Sequence, residues 1–302
     1  MKNTILVAGA TGDLGGRLVK ALLAKSANVR AIVRASSDPD KVKTLEQAGV
    51  TVYKVNMNNA TDLAAACQGA DCVVSALSGF RDTIVDTQKI VLDAAIAAGV
   101  PRFIPSDYSL DFTRFSDGEN RNLDLRREFH TYLAKAPIST TTIFNGAFAE
   151  LITGAMPLIL FKPKLVLYWG DANHRMGFTT MDNTAEFTAN AALDPTTPRY
   201  LYIAGDQISP RHLKDVASSV TGKPFRLFWA GSPFVLSGLI KVAKAVAPGE
   251  GELYPAWQGM QYMRNMVDKR ARLDGLDNDR YPSIRWTTIR DVLTAHEQAE
   301  QK

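Results

Sequence analysis

Seven residues near the N-terminus, Gly9-Ala10-Thr11-Gly12-Asp13-Leu14-Gly15, constrain the fold more than any other stretch. They follow the apolar run Thr4–Ala8 directly and open the amphipathic segment Leu14–Ala24, so the glycines fall in a strand-to-helix turn. Gly9 permits the tight turn, Gly12 lets backbone approach a pyrophosphate, and Gly15 lets helix and strand pack closely. Free N–H groups at the helix start then hold phosphate oxygens. A glycine pattern alone can mean no more than a tight turn; at residue 9 of a βαβ unit it favours dinucleotide binding, with Thr11, Asp13 and Leu14 beside the three glycines in the site.

The alternation continues: Val29–Val33 then Pro39–Ala48, Val50–Val55 then Thr61–Ala66, Cys72–Ala76 then Thr83–Ala98, a strand at Arg102–Ile104, a helix around Asn122–Lys135 and a strand at Ser139–Phe144. Strand followed by helix, repeatedly, predicts an α/β protein with a Rossmann-type doubly wound parallel sheet. Boundary chemistry agrees, since Asp38-Pro39 reads as an N-cap with proline at the first helical position, and Gly49 and Gly99 sit where helix C-caps belong. Beyond Phe148 the rhythm changes. Prolines at 157, 163, 195, 198, 210, 224, 233, 248, 255 and 282 cut the chain into shorter pieces. Met181–Leu193 still reads as a helix and Tyr200–Ala204 as a strand of the first domain; Ser209-Pro210 opens a helix that Gly222 closes. The expected division is residues 1–150 as the dinucleotide-binding domain, with about 175–205 returning to it, and 151–302 as a smaller, discontinuous substrate or cap region.

The second strand ends at Val33-Arg34, where a protein selecting NAD usually carries an acidic side chain for the ribose 2′-OH. A guanidinium can instead fork onto a 2′-phosphate, and Ser36 can add a hydroxyl, so NADPH/NADP+ is the expected cofactor. The competing reading leaves Arg34 as a solvated cation with Asp38 or Asp40 serving NAD. Leu77 and Ser78 follow the fourth strand and Asn145 and Phe148 the sixth, placing them with the nicotinamide half. Composition limits the partners. The 35 Lys and Arg against 31 Asp and Glu are interleaved, too slight a bias for nucleic acid or membrane binding. Neither Ala147–Phe161 nor Pro233–Val246 can span a bilayer, and the N-terminus lacks a signal-peptide core, so a cytoplasmic protein is expected. Cys67 and Cys72 show no metal-type spacing, and the four histidines are scattered, so no metal site is expected.

The glycine turn, Val33-Arg34, Asp86-Thr87-Gln88 before Ala94-Ala95, the stretch Gly99-Val100-Pro101-Arg102-Phe103-Ile104-Pro105-Ser106-Asp107-Tyr108 and Trp286-Thr287-Thr288-Ile289 together resemble the NmrA-like and isoflavone-reductase-like atypical short-chain dehydrogenases over nearly the whole chain. The resemblance implies a Rossmann domain, an NADP(H) site and a substrate cleft beside a smaller C-terminal domain. It leaves activity open, because the family holds both reductases and redox-sensing regulators.

Two departures bear on catalysis. No Tyr is followed four residues later by Lys, so the proton-donating pair of the wider dehydrogenase group is missing. The resemblance also implies a catalytic Lys on the helix after the Pro-Ser segment, yet that helix reads Leu123-Asp124-Leu125-Arg126-Arg127-Glu128-Phe129-His130 and holds no Lys before Lys135. Three residues remain as catalytic candidates. Tyr108 or His130 can donate a proton to an oxygen gaining charge, and Arg126, one helical turn from His130, can stabilise that charge without proton transfer. Each has a plain alternative: Tyr108 as a wall aromatic, Arg126 as a surface cation, His130 as a satisfied polar residue. Trp229, Phe234, Trp257, Met260, Tyr262 and Met263 can line an apolar pocket or form core. The sequence therefore favours an NADPH-dependent reductase of a small aromatic, quinone-like or conjugated carbonyl compound. The competing reading is a non-catalytic NADP(H) sensor with a protein partner.

Overall fold

The computed structural model describes residues 2–57, 59–154, 156, 158–271 and 274–300. The chain runs β1 (Thr4–Ala8), α1 (Asp13–Ala24), β2 (Asn28–Arg34), α2 (Pro39–Gln47), β3 (Thr51–Val55), α3 (Ala60–Cys67), β4 (Cys72–Ser75), α4 (Gln88–Ala97), β5 (Arg102–Ile104), α5 (Arg121–Leu133) and β6 (Ser139–Thr140). The six strands form one sheet in the order β3-β2-β1-β4-β5-β6, every pair parallel. All five residues of β1 and all four of β4 are buried, as a sheet covered by helices on both faces requires. Strand order reverses between β1 and β4, and a crevice opens at such a switch point beyond the carboxyl ends of the strands.

Local chemistry explains the boundaries. The Asp38 carboxylate caps α2 by accepting from Asp40 N–H, with Pro39 at the first helical position. The helix expected over 83–98 divides instead into a wide π-turn, Asp82–Thr87, and α4; the Thr87 hydroxyl donates back five residues to the Asp82 carbonyl, 2.9 Å away. The run 139–144, expected as one strand, serves two ladders. Thr141 N–H still donates to Phe103 on β5, but Thr142 N–H donates to Arg199, and Thr142–Phe144 (β7) then pairs with Tyr200–Tyr202 (β12).

The remaining elements are β8 (Ala147–Phe148), β9 (Ile159–Leu160), β10 (Leu165–Tyr168), β11 (Met176–Thr179), α6 (Met181–Leu193), β13 (Asp206–Ile208), α7 (Pro210–Thr221), β14 (Arg226–Trp229), α8 (Pro233–Val246), α9 (Ala256–Met266) and α10 (Ile289–Glu300). They include two small sheets, β14-β10-β9 and β13-β11-β8. Ser209 caps α7, and Gly222 ends it in the left-handed region at φ 66°. Pro157 lies outside the described residues.

The chain divides into two compact units, one of residues 1–108, 125–144 and 184–201, the other of 109–124, 145–183 and 202–302. The second unit holds a buried amide cluster. Asn120 Oδ1 caps α5 through Asn122 and Leu123 N–H and accepts from Gln258 Nε2 at 2.8 Å, while its Nδ2 donates to Asn265 Oδ1 at 3.0 Å. Nearby, Arg270 forks onto Glu119 and Asp268 and holds the Asp268 carboxyl far below the usual carboxylate range. Trp257 and Met263 are core residues of this unit, whereas Trp229 and Phe234 face solvent, so the six aromatics and methionines do not line one pocket.

Candidate functional site

The three glycines are needed for three different reasons. Gly9 adopts φ 86°, and a Cβ there would lie 2.5 Å from the Ala76 carbonyl oxygen, so the exits of β1 and β4 can meet only over a glycine. At Gly15 a Cβ would lie 2.0 Å from the Gly9 carbonyl oxygen. Gly15→Ala is therefore expected to cost about 3 kcal/mol of stability or more, because backbone and not a side chain must move; urea denaturation measures it. At Gly12 the nearest atom to an added Cβ is the Gly9 carbonyl oxygen at 3.3 Å, and φ is an ordinary −78°. That contact is tight and the carbonyl must give by a few tenths of an ångström, a far smaller demand than at Gly9 or Gly15.

Gly12 is the N-cap of α1 and no side chain caps that helix, so its first N–H groups are free to face an anion. A pocket of about 490 Å³ opens beside it, lined by Thr11, Gly12, Asp13, Gly16, Arg17, Lys20 and Lys41. Three cations on seven lining residues give it a positive rim. Arg17 is paired with Asp13 at 2.7 Å, and Lys41 Nζ reaches the Thr11 carbonyl oxygen at 3.4 Å, spanning from α2 to the glycine turn. Leu14 sits in the first turn of α1. Arg34 ends β2, exposed, and the turn closed by Ser37 N–H on the Arg34 carbonyl presents Ser36 to solvent. Asp38 is committed to capping α2, which weakens it as a ribose acceptor and supports a phosphate-binding edge. These residues fit a dinucleotide phosphate chain: a turn without a side chain at Gly12, an uncapped helix start and cations around them.

A second cluster lies at the exit of β5. Gln88 and Ser106 build its floor, with Ser106 N–H donating to Gln88 Oε1 at 2.8 Å and Ser106 Oγ donating to the Leu77 carbonyl at 2.7 Å. Those bonds fasten the loop after β5 to the loop after β4, where Leu77 is half-buried and Ser78 exposed. The next residue, Asp107, is fully buried and meets His130 Nε2 at 2.6 Å; its Oδ2 also accepts the Thr142 hydroxyl at 2.9 Å. The His130 side chain keeps 11 % exposure. A carboxylate accepts, so Nε2 is the donor. Tyr108 is buried, and burial pushes its phenol well above the usual tyrosine range against a smaller opposing pull from Thr188. That makes it a weaker acid. Arg126 is half-buried one turn before His130 on α5.

The structure thus brings Gly9 through Gly15, Arg34, Ser36, Leu77, Ser78, Asp107, Tyr108, Arg126 and His130 onto one unit, at the carboxyl side of its sheet. Asn145 and Phe148 belong to the other unit. There Asn145 is fully buried, with its N–H on the Ser109 carbonyl and its own carbonyl accepting from Thr179 Oγ1, and Phe148 of β8 pairs with Thr179 of β11. The sequence reading missed Lys41, Asp107 and Thr142 as site residues. Cys67 and Cys72 are unpaired and buried, their thiols pushed up to about 11 and about 12 by burial, so neither is a nucleophile. Among the described residues no group of three or more His, Cys, Asp or Glu can hold a metal ion, and no helix is long and apolar enough to cross a membrane.

The description of the NmrA-like family matches residues 1–247. The chain belongs to the NmrA-like family. It is 31% identical to pinoresinol reductase 2 of Arabidopsis thaliana, over 97% of this chain and 96% of that one. Two solved structures share the fold: isoflavone reductase, TM-score 0.83 at 18% identity over 98% of this chain and 100% of that one, and AtPrR2 solved with NADP+ and (+)-pinoresinol, TM-score 0.81 at 24% identity over 98% and 99%. For this NmrA-like protein, the uncapped α1 and its bare Gly12 are features of its own residues, independent of any relative.

Proposed function

We propose that this NmrA-like protein is an NADPH-dependent reductase of a small aromatic substrate bearing a quinone, conjugated carbonyl or comparable oxygen function. The observation that carries the reading is the bare backbone at Gly12, set before an uncapped helix and ringed by Arg17, Lys20 and Lys41. The 31% identity to a pinoresinol reductase supports reduction over regulation and an aromatic substrate. Cytoplasmic residence belongs to the same reading and suits two unpaired, buried cysteines.

When bound, NADPH supplies a hydride to a substrate carbon. The chain's residues do the rest. Backbone N–H groups of α1 would hold pyrophosphate, Arg34 with Ser36 and Lys41 would hold the 2′-phosphate, and His130 gives a proton to the substrate oxygen. Asp107 accepts Nε2–H throughout, fixing the ring and balancing the imidazolium before transfer. Water then returns a proton to His130, so each turnover consumes one hydride and one proton. Arg126 stabilises charge on the oxygen without giving up a proton.

Arg34→Ala is expected to weaken NADPH about ten- to a hundredfold while leaving NADH nearly unchanged, since the lost charge-assisted bonds serve the 2′-phosphate alone. Calorimetric titration with both cofactors measures it, and equal wild-type affinity for the two would overturn the assignment. Activity is tested by NADPH oxidation against quinones, enones, aromatic ketones and pinoresinol-type lignans, with deuterium transfer from labelled cofactor. Tight, redox-selective cofactor binding with no transfer to any of them would make the protein a sensor and give it a protein partner.

A further inference from the structure

Helix α8 has two apolar sides and uses one. Ser232 caps it by accepting from Val235 N–H, Pro233 opens it, and Leu236 and Ile240 are buried where it packs on α9. One step round the helix lie Val235, Leu239, Val242 and Val246, all between 45 and 80 % exposed, with Phe234 beside them at 86 %. The intervals of four, three and four residues are those of the seam between two packed helices. Gly238 and Ala245 flank the stripe and leave room for close approach.

Three observations select the occupant. The stripe is self-complementary: antiparallel α8 helices related by a two-fold axis between Ile240 and Lys241 set Val235 against Val246 of the second copy and Leu239 against its Val242. Charge is kept off the seam. The helix holds no acidic residue, and of its two cations Lys241 lies outside the stripe while Lys244 Nζ sits 5.1 Å from the centre of the Trp257 ring of its own chain. The area is also right. With Trp229, 59 % exposed at the end of the strand leading into α8, these side chains present roughly 700 Å², taking about 150–250 Å² for each when fully exposed. That exceeds the roughly 300–600 Å² of the largest apolar patch on a typical monomer and approaches the roughly 800 Å² each partner gives to a stable interface.

We infer that the exposed face of α8 is the interface between two copies of this chain in solution. Sedimentation velocity of the full chain at micromolar concentration is expected to give twice the 33.0 kDa of one chain. Leu239→Glu with Val242→Glu halves that mass while circular dichroism keeps the wild-type helix content, because both positions are exposed in the single chain. Leu239→Cys with Val242→Cys gives a covalent dimer on mild oxidation, the native thiols being buried. A 33.0 kDa species at every concentration overturns the inference, as does a dimer that survives the double Glu change. Monomeric protein that instead sediments with phosphatidylserine vesicles would assign the face to a lipid surface and refute the dimer.

Discussion

Gly12→Val is expected to fold as the wild type does and to bind NADPH at least about a hundredfold more weakly. The two halves of that result have separate causes. Valine tolerates the extended backbone at φ −78°, ψ 170°, and its Cβ asks one carbonyl oxygen, 3.3 Å away, to give by only a few tenths of an ångström. Loss of glycine as N-cap costs about 1 kcal/mol or less. The isopropyl group nevertheless occupies the space through which phosphate oxygens reach the α1 N–H groups, removing two or three charge-assisted hydrogen bonds at once. Gly9→Val and Gly15→Val cannot make this distinction, because a Cβ at either collides with backbone at 2.5 Å or less and the fold itself suffers. Paired thermal melts and calorimetric titrations measure both halves. A folded Gly12→Val protein with undiminished affinity would remove the turn from the site altogether.

This contrast shows how far the sequence could be read. The glycine turn was legible because each glycine answers a local backbone demand, and so were the Asp38-Pro39 start of α2, the Gly222 end of α7 and the full span of α6. The break at Thr141 was not. Ser139–Phe144 has uniform strand character, and only the arrival of Arg199 from far along the chain draws residue 142 away from β5. Asp107 was read as part of a family pattern and given no task, since nothing in its neighbourhood announces a histidine on a helix 23 positions later. Thr142 is equally silent until β7 carries its hydroxyl to the same carboxylate oxygen. Lys41 was hidden as one of many interleaved cations; only the fold of α2 over the glycine turn singles it out. Exposure was the least legible property. Phe234 and Trp257 look alike in the sequence, yet one is 86 % exposed and the other 4 %.

Asp107→Asn is expected to lower kcat by about a hundred- to a thousandfold while changing the cofactor Kd by less than about threefold. Asparagine matches the shape of this fully buried carboxylate, so the fold should tolerate it, but Thr142 and His130 meet the same oxygen, Oδ2, and an amide nitrogen turned to that position leaves Thr142 without its acceptor. What changes is the ring. Deprived of an obligate acceptor, His130 can accept a hydrogen bond on Nε2 from the amide N–H and carry its proton on Nδ1 as a neutral tautomer, with no negative charge to support the imidazolium. Nitrogen-15 NMR of the imidazole reads this without turnover: Nε2–H in the wild type, Nδ1–H in the variant. His130→Gln should lose as much activity as Asp107→Asn, and the double variant little more, because the two act as one unit. Thr142→Val, which removes one hydrogen bond but leaves the pair, should cost about tenfold or less. Full activity in His130→Gln would move the proton to Tyr108 or to water. Loss in His130→Gln with full activity in Asp107→Asn would keep histidine as donor and reduce the carboxylate to packing. The arrangement favours neither outcome: burying a carboxylate completely is costly, and here it is matched to the one histidine on α5 and a hydroxyl aimed at the same oxygen.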